Sequence, residues 1–541
     1  MKFFIDHDWQ ENMQTPNKNL GERTKIKSLL FLSITYLIFG LINHSPWRPI
    51  ETHSFSILID IIFNKKILTP IAATDLFYSH PPLYEMIGGA FTLLFNFLDT
   101  HNAARIGNIF WVGLTMLSIG LSNRELWGHG YGRQSNLIFI SSIGLVLNIH
   151  SFHNEIAVMT AMSLLFYAFT LHVRRPFRSS VLLAFGLTTL FLTIGFSSLF
   201  IFFIICLLLL TCPNWRNYRF FIFLLIGFIA ALIPITMWSI LIHNQDPNKF
   251  FAALKALNNF DISKFQYYLL NLTWFAWPAL PLAIFVTVKN YMNILSFRRF
   301  QLPLVFLISY LIFLSINGPN NQIHLITFLP FLSIIASGSI DRMNRTFSNS
   351  ITWFGILIFG SMIFLLLLGW FVMICKLPYS LYERMFYLSG NYNLEINLIS
   401  ISISSIILFF WIKNTFTSKI TNRSALTHWS ISILTVWTLI SFLWFPMIEN
   451  RKNYGQVFDQ IKDIPEIKSS CINHSELSDG HIELIDFYTR IRLQNNYDCK
   501  YLITYVNLNS EKDLNSYSEY QMLWNAKMPY DKKSFVLYRK N

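Results

Sequence analysis

The chain has 541 residues, of which 53% are hydrophobic, 17% aromatic and only 13% charged. Soluble domains carry roughly 25% charged residues, so an ordinary water-exposed globular protein is excluded. The formal net charge of +13 is spread in short basic clusters between apolar runs, which sets membrane topology and argues against nucleic acid. Anionic lipid or a phosphorylated substrate fits those cations better.

Residues 1–27 form a polar tail containing Asp6, Asp8 and Glu11. The tail lacks the basic region, apolar core and small-residue cleavage site of a signal peptide. It is expected to be cytoplasmic, and the first span to remain as an anchor. A large first external loop, 45–104, follows. It reads Trp47-Arg48-Pro49-Ile50-Glu51-Thr52-His53 near its start and Ser79-His80-Pro81-Pro82-Leu83-Tyr84 further on. Within it, the apolar run Met86–Leu98 is too short to cross a bilayer and suits an interfacial helix.

Apolar runs of spanning length then recur. They predict about thirteen transmembrane helices, at 28–44, 105–122, 135–150, 156–172, 179–195, 197–213, 219–242, 269–288, 303–317, 323–340, 351–374, 394–412 and 424–446. Basic clusters such as Arg124/Arg133, Arg174/Arg175/Arg178 and Lys289/Arg298/Arg299 mark the cytoplasmic side. An odd number of crossings puts residues 447–541 outside. That segment reads as a small extracytoplasmic α/β domain, with helices at Gly455–Ile464 and Ile482–Arg492 and strands at Tyr501–Val506 and Phe535–Tyr538. The five cysteines show no metal-ligand spacing. Whether Cys471 and Cys499 pair depends on the compartment.

The chemistry-bearing residues gather in the outer loops. Glu51, His53, His80, His153 and Glu155 combine carboxylates with histidines, which serve as general bases or as ligands for a divalent cation. Glu155 stands at the mouth of a span, where charge is costly unless paired or functional. Pro81-Pro82 stiffens the approach to a helix and aims Tyr84. Arg48, Lys65, Lys66, Arg105, Lys249, Lys255 and Lys264 are cations suited to a phosphate headgroup. Taken singly, each also reads as a hydrated loop residue or a snorkelling cation. No P-loop, Gly-x-Gly-x-x-Gly, Cys-x-x-Cys or His-Glu-x-x-His is present, so an ATP-driven or nucleotide-sugar mechanism has no support. No cofactor is indicated beyond the open case of a divalent cation.

In order along the chain, several segments resemble polyprenyl-phosphate-sugar glycosyltransferases of the GT-C fold. The likeness is to the branch of the lipid A aminoarabinose transferase and the protein O-mannosyltransferases. Pro49-Ile50-Glu51-Thr52-His53 resembles the family's Pro-Asp-Glu-Thr-Arg, with Ile50 at the Asp position. His80-Pro81-Pro82-Leu83-Tyr84 resembles its (Lys/His)-Pro-Pro-Leu-Tyr, and Ala103-Ala104-Arg105 its Ala-Ala-Arg. Leu192-Thr193-Ile194-Gly195-Phe196 resembles Leu-Thr-Lys-Gly-Pro, and Glu155 stands where the family has an Asp.

The resemblance implies an inner-membrane glycosyltransferase that moves sugar from a polyprenyl-phosphate carrier to a lipid A-type lipid, glycan or protein on the outer face. Glu51 or Glu155 is then expected as base. His53 and His80 would shape the acceptor site, Tyr84 and His153 would also contact substrate, and Arg105, Lys65 and Lys66 would hold phosphate. The alternative is a catalytically silent homologue that binds the lipid carrier as a scaffold, motivated by Ile50 and Ile194. A transporter is a third reading, without an inverted repeat to support it.

Overall fold

The computed structural model describes residues 22–540 apart from 75–79, 248–249, 251–260, 341, 418–420, 463, 465–466, 468–469, 496–498, 508–519 and 530. Most of the expected cytoplasmic tail, Asp75, Ser79, Lys249 and Lys255 lie outside the described residues.

Helix follows the apolar runs. α1 (Glu22–Ile38) leads into the first loop, which carries α2 (Thr52–Phe63) and α3 (Leu83–Leu94). Then come α4 (Thr100–Trp127), α5 (Tyr131–Ile140), α6 (Ile143–Asn148), α7 (Glu155–Leu171), α8 (Pro176–Ile194), α9 (Ser197–Thr211) and α10 (Tyr218–Gln245). The bundle continues with α11 (Ile262–Phe275), α12 (Ala279–Lys289), α13 (Arg298–Asn317), α14 (Leu329–Ser337), α15 (Arg345–Cys375), α16 (Tyr379–Leu388), α17 (Leu398–Thr417), α18 (Asn422–Leu439) and α19 (Phe445–Lys452). The protein is a polytopic α-helical membrane protein with a small C-terminal α/β domain.

Among the described residues, seven helices are long and apolar enough to cross a membrane alone. An eighth crossing arises if α11 and α12 count as one span, bent by 101°. The other expected spans are helical but short or broken. The 135–150 run divides at Ser141-Ser142, whose hydroxyls bond back to the Ile138 carbonyl at 2.9 and 3.1 Å and compete with the helix ladder. The 269–288 run breaks before Pro278, which has no N–H to continue it. The 323–340 run opens as a 3₁₀ turn, Gln322–Phe328, before α14. The tight turn between α8 and α9 needs Gly195, which sits at φ +66° where a side chain is strained.

The last helical run passes the expected limit at 446 and reaches Lys452. Its polar last turn is tied to the first loop, because Glu449 accepts hydrogen bonds from the Ser45 N–H (2.9 Å) and the Trp47 indole (2.8 Å). Beyond it stands a four-stranded sheet of order β1-β2-β4-β3, formed by β1 (Ile472–Ser475), β2 (Tyr501–Val506), β3 (Tyr520–Ala526) and β4 (Ser534–Lys540). β1 and β2 are parallel, with Ile472 opposite Tyr501; β4 is antiparallel to both β2 and β3, with Ile503 opposite Leu537. α20 (Gly455–Lys462) and α21 (Asp479–Thr489) cover one face through Phe458, Ile461, Ile482 and Ile485. Cys471 and Cys499, just before β1 and β2, are disulfide-bonded. The domain docks on the first loop: Phe487 of α21 packs on Phe55 of α2 at 5.5 Å, and Ala73 joins the domain's core.

Candidate functional site

The site is built around a buried ion pair. Arg105, in the first turns of α4, is fully buried. Its Nε and one terminal nitrogen donate to the two oxygens of Glu51 at 2.8 and 2.7 Å. The other nitrogen donates to the His44 carbonyl at 2.6 Å, and the guanidinium lies over Phe55 at 5.3 Å. Glu51 also accepts from the Phe152 N–H (2.7 Å) and the Trp47 N–H (2.8 Å). Each carboxylate oxygen therefore has two donors, and a carboxylate offers about four lone-pair sites. Burial raises the Glu51 carboxyl, but Arg105 and His44 outweigh it and hold it below the ordinary carboxylate range.

A second set of bonds fixes the 149–154 loop. The Tyr84 hydroxyl donates to Asn108 Oδ1 at 2.6 Å and accepts the His153 N–H at 3.0 Å. Asn108 Nδ2 donates to the Ile149 and Ser151 carbonyls at 3.1 and 3.0 Å. Phe152 joins this network to the ion pair, stacked on Phe55 at 4.7 Å and tilted against Tyr84 at 4.6 Å. The first loop, α4 and the loop before α7 are therefore joined into one hydrogen-bonded platform.

Glu155 opens α7 from the edge of this platform. Glu155 Oε1 pairs with His324 Nδ1 at 3.1 Å, and the two side chains are 17% and 15% exposed. Unlike Glu51, this pair is neither sealed nor saturated. His80 and His153 stand near enough to act on Glu155 electrostatically. The buried His153 ring bonds the Asn148 carbonyl through Nε2 at 3.0 Å, while Nδ1 has no partner among the described residues. Burial pushes His153 down to about 4, so its ring is neutral at physiological pH. His80 is half-buried, with its Nδ1 3.3 Å from the Pro81 carbonyl.

The remaining sequence candidates go elsewhere. His53 points to the C-terminal domain, its Nδ1 3.0 Å from Glu483 Oε1. Lys65 and Lys66 are exposed at the end of α2. Arg105, expected on a phosphate, is committed to Glu51, and Glu51, expected as a base, is committed to Arg105. Sequence reasoning passed over His324, which lies in the 3₁₀ turn before α14; a histidine at the mouth of a late apolar run was the available signal. Among the described residues, no three His, Cys, Asp or Glu side chains converge as a metal-ligand set.

No family model matches the sequence, and no curated protein matches it. Solved structures do. The chain is similar to ArnT from Cupriavidus metallidurans bound to undecaprenyl phosphate, with a TM-score of 0.71 at 12% identity over 96% of this chain and 98% of that one. The two share one fold. The apo state of that ArnT gives a TM-score of 0.68 at 12% identity over 95% and 97% of the two chains. An oligosaccharyltransferase from Archaeoglobus fulgidus scores 0.44 at 10% identity, over 95% of this chain and 74% of that one. The architecture is thus the GT-C-like arrangement that the loop motifs implied.

Proposed function

We propose that the protein is an integral-membrane glycosyltransferase. It moves a sugar from a polyprenyl-phosphate carrier to a cell-envelope acceptor at the outer face of the inner membrane. The observation carrying this reading is the partly open Glu155–His324 pair at the mouth of α7. It sits on a fold shared along nearly all of a chain whose structure holds undecaprenyl phosphate. Ionisable residues at membrane depth are costly, and where they occur they mark functional sites.

In this reading Glu155 takes the proton from an acceptor hydroxyl. The hydroxyl oxygen forms a bond to the anomeric carbon, and the bond from that carbon to the phosphate oxygen breaks. Polyprenyl phosphate departs with the electron pair. His324 holds one Glu155 oxygen and fixes the other toward the acceptor. His80 and Tyr84 border the acceptor side, the latter by positioning the 149–154 loop. Glu51 and Arg105 are positioning residues. Glu155→Gln in purified protein is expected to lower sugar transfer from polyprenyl-phosphate donors by roughly 10²–10⁴-fold, with the melting temperature little changed. Unchanged turnover refutes the assignment.

One observation favours a second reading, a lipid-carrier-binding scaffold without turnover. Ile50, at the family's Asp position, has no proton-accepting atom, and the neighbouring carboxylate of Glu51 is sealed. Retained carrier binding with no transfer in the unsubstituted protein selects it.

A further inference from the structure

A recess of about 200 Å³ lies where the first loop, the end of α19 and the C-terminal domain meet. That is room for about six waters at ~30 Å³ each, enough for a phosphate group with part of its hydration. Arg48, Arg451 and Lys452 border it, against one carboxylate, Asp531. Asp531 is itself engaged, accepting from the Tyr505 hydroxyl at 2.8 Å.

Arg48 is the unusual member. Its terminal nitrogens meet the Tyr454 hydroxyl at 3.0 Å, the Ser478 hydroxyl at 2.9 Å, and the His481 ring. Burial, with Arg48 adding to it, lowers His481 to about 3, so that ring is neutral and these acceptors carry no charge. Arg48 Nε is buried without a partner among the described residues. The side chain also lies against the start of α21, where a Cβ on Gly480 would come within 3.1 Å of Nε. A helix N-terminus carries partial positive charge, so a cation placed there calls for an anion. Asp479 stands in the first turn of the same helix.

Arg451 and Lys452 end α19, and basic residues at a helix C-terminus are ordinary in themselves. What sets them apart is that Arg48, some 400 positions away in the sequence, borders the same recess. Lys452 Nζ is 4.5 Å above the Trp47 ring, and α19 continues directly from the membrane helix α18. Tryptophan and cations at the end of a span belong to the headgroup zone of a bilayer.

We propose that this recess binds a phosphate-bearing anion, with Arg48 as the fixed anchor and Arg451 and Lys452 as the exposed cations around it. The site is separate from Glu155 and His324 and does not depend on the transferase reading. A phospholipid headgroup and a soluble phosphoester present the same chemistry, and two probes separate them.

Full-length protein in neutral detergent is titrated with dihexanoyl phosphatidic acid and, separately, with inorganic pyrophosphate at constant ionic strength, and the melting temperature is followed. Saturable stabilisation is expected, with affinity weakened roughly tenfold or more in the Arg451→Gln/Lys452→Gln variant. Those two side chains are exposed, so this variant should fold; Arg48→Lys should retain part of the effect where Arg48→Gln loses it. A response to phosphatidic acid alone identifies a lipid headgroup. A response to pyrophosphate alone identifies a soluble phosphate compound, and a response to both shows that the recess takes the phosphate group from either source. Equal titrations of the double variant and the unsubstituted protein with both probes overturn the proposal.

Discussion

Two glutamates, Glu51 and Glu155, have opposite surroundings, and those surroundings predict different effects of replacing them. Glu51 is 1% exposed and ion-paired with Arg105, which is 0% exposed. Removing one member of such a pair strands a buried charge and costs about 3–5 kcal/mol. Glu51→Gln is therefore expected to lower the melting temperature sharply, and Glu51→Gln/Arg105→Met to recover part of the loss. If Glu51 were the base, the Glu51→Gln/Arg105→Met protein would regain stability without regaining any transfer; paired melting and transfer assays distinguish the two. The sequence made both glutamates visible as carboxylates in outer loops. It did not show that Glu51 is saturated, because three of its four donors come from Arg105 and Phe152, more than 50 positions away.

At the level of elements, α21 joins the C-terminal domain to the first loop of the bundle. It presents Glu483 to His53 and packs Phe487 on Phe55. Asp486 on the same helix is 6% exposed, and burial raises its carboxyl to about 6 despite Arg492 and Arg490 nearby. An unfolded Asp titrates near 3.9, so the native state binds the extra proton. Its stabilising contribution is complete below about pH 4 and is lost as pH rises through about 6. Asp486→Asn should accordingly stabilise the protein by on the order of 1–3 kcal/mol at pH 7.5 and have no effect near pH 4. Thermal melts at the two pH values check this, and an equal effect at both contradicts it. The pairs α5–α6 and α11–α12 carry a related lesson. Their apolar content was legible, but a hydropathy window averages over Ser141-Ser142 and Pro278, where the backbone loses helical partners.

For the whole molecule, docking of α2 on α21 puts the first loop and the C-terminal domain on the same side of the membrane. The basic clusters lead to the expectation that this side is the exterior, and the Cys471–Cys499 disulfide fits an oxidising compartment. Cysteines introduced as Lys65→Cys and Lys532→Cys, both exposed positions, should react with an impermeant maleimide in intact spheroplasts. Labelling of both only after permeabilisation would invert the topology. The sequence by itself determined the membrane class, the helical runs and the C-terminal α/β domain. These follow from local composition and hydrophobic periodicity, which act over a few to about twenty residues. Only the tertiary structure decided which polar residues share a site: Glu51 with Arg105, Glu155 with His324, and Arg48 with Arg451 and Lys452. Polar groups near a bilayer find partners according to what folding leaves buried, and those partners lie tens to hundreds of positions apart.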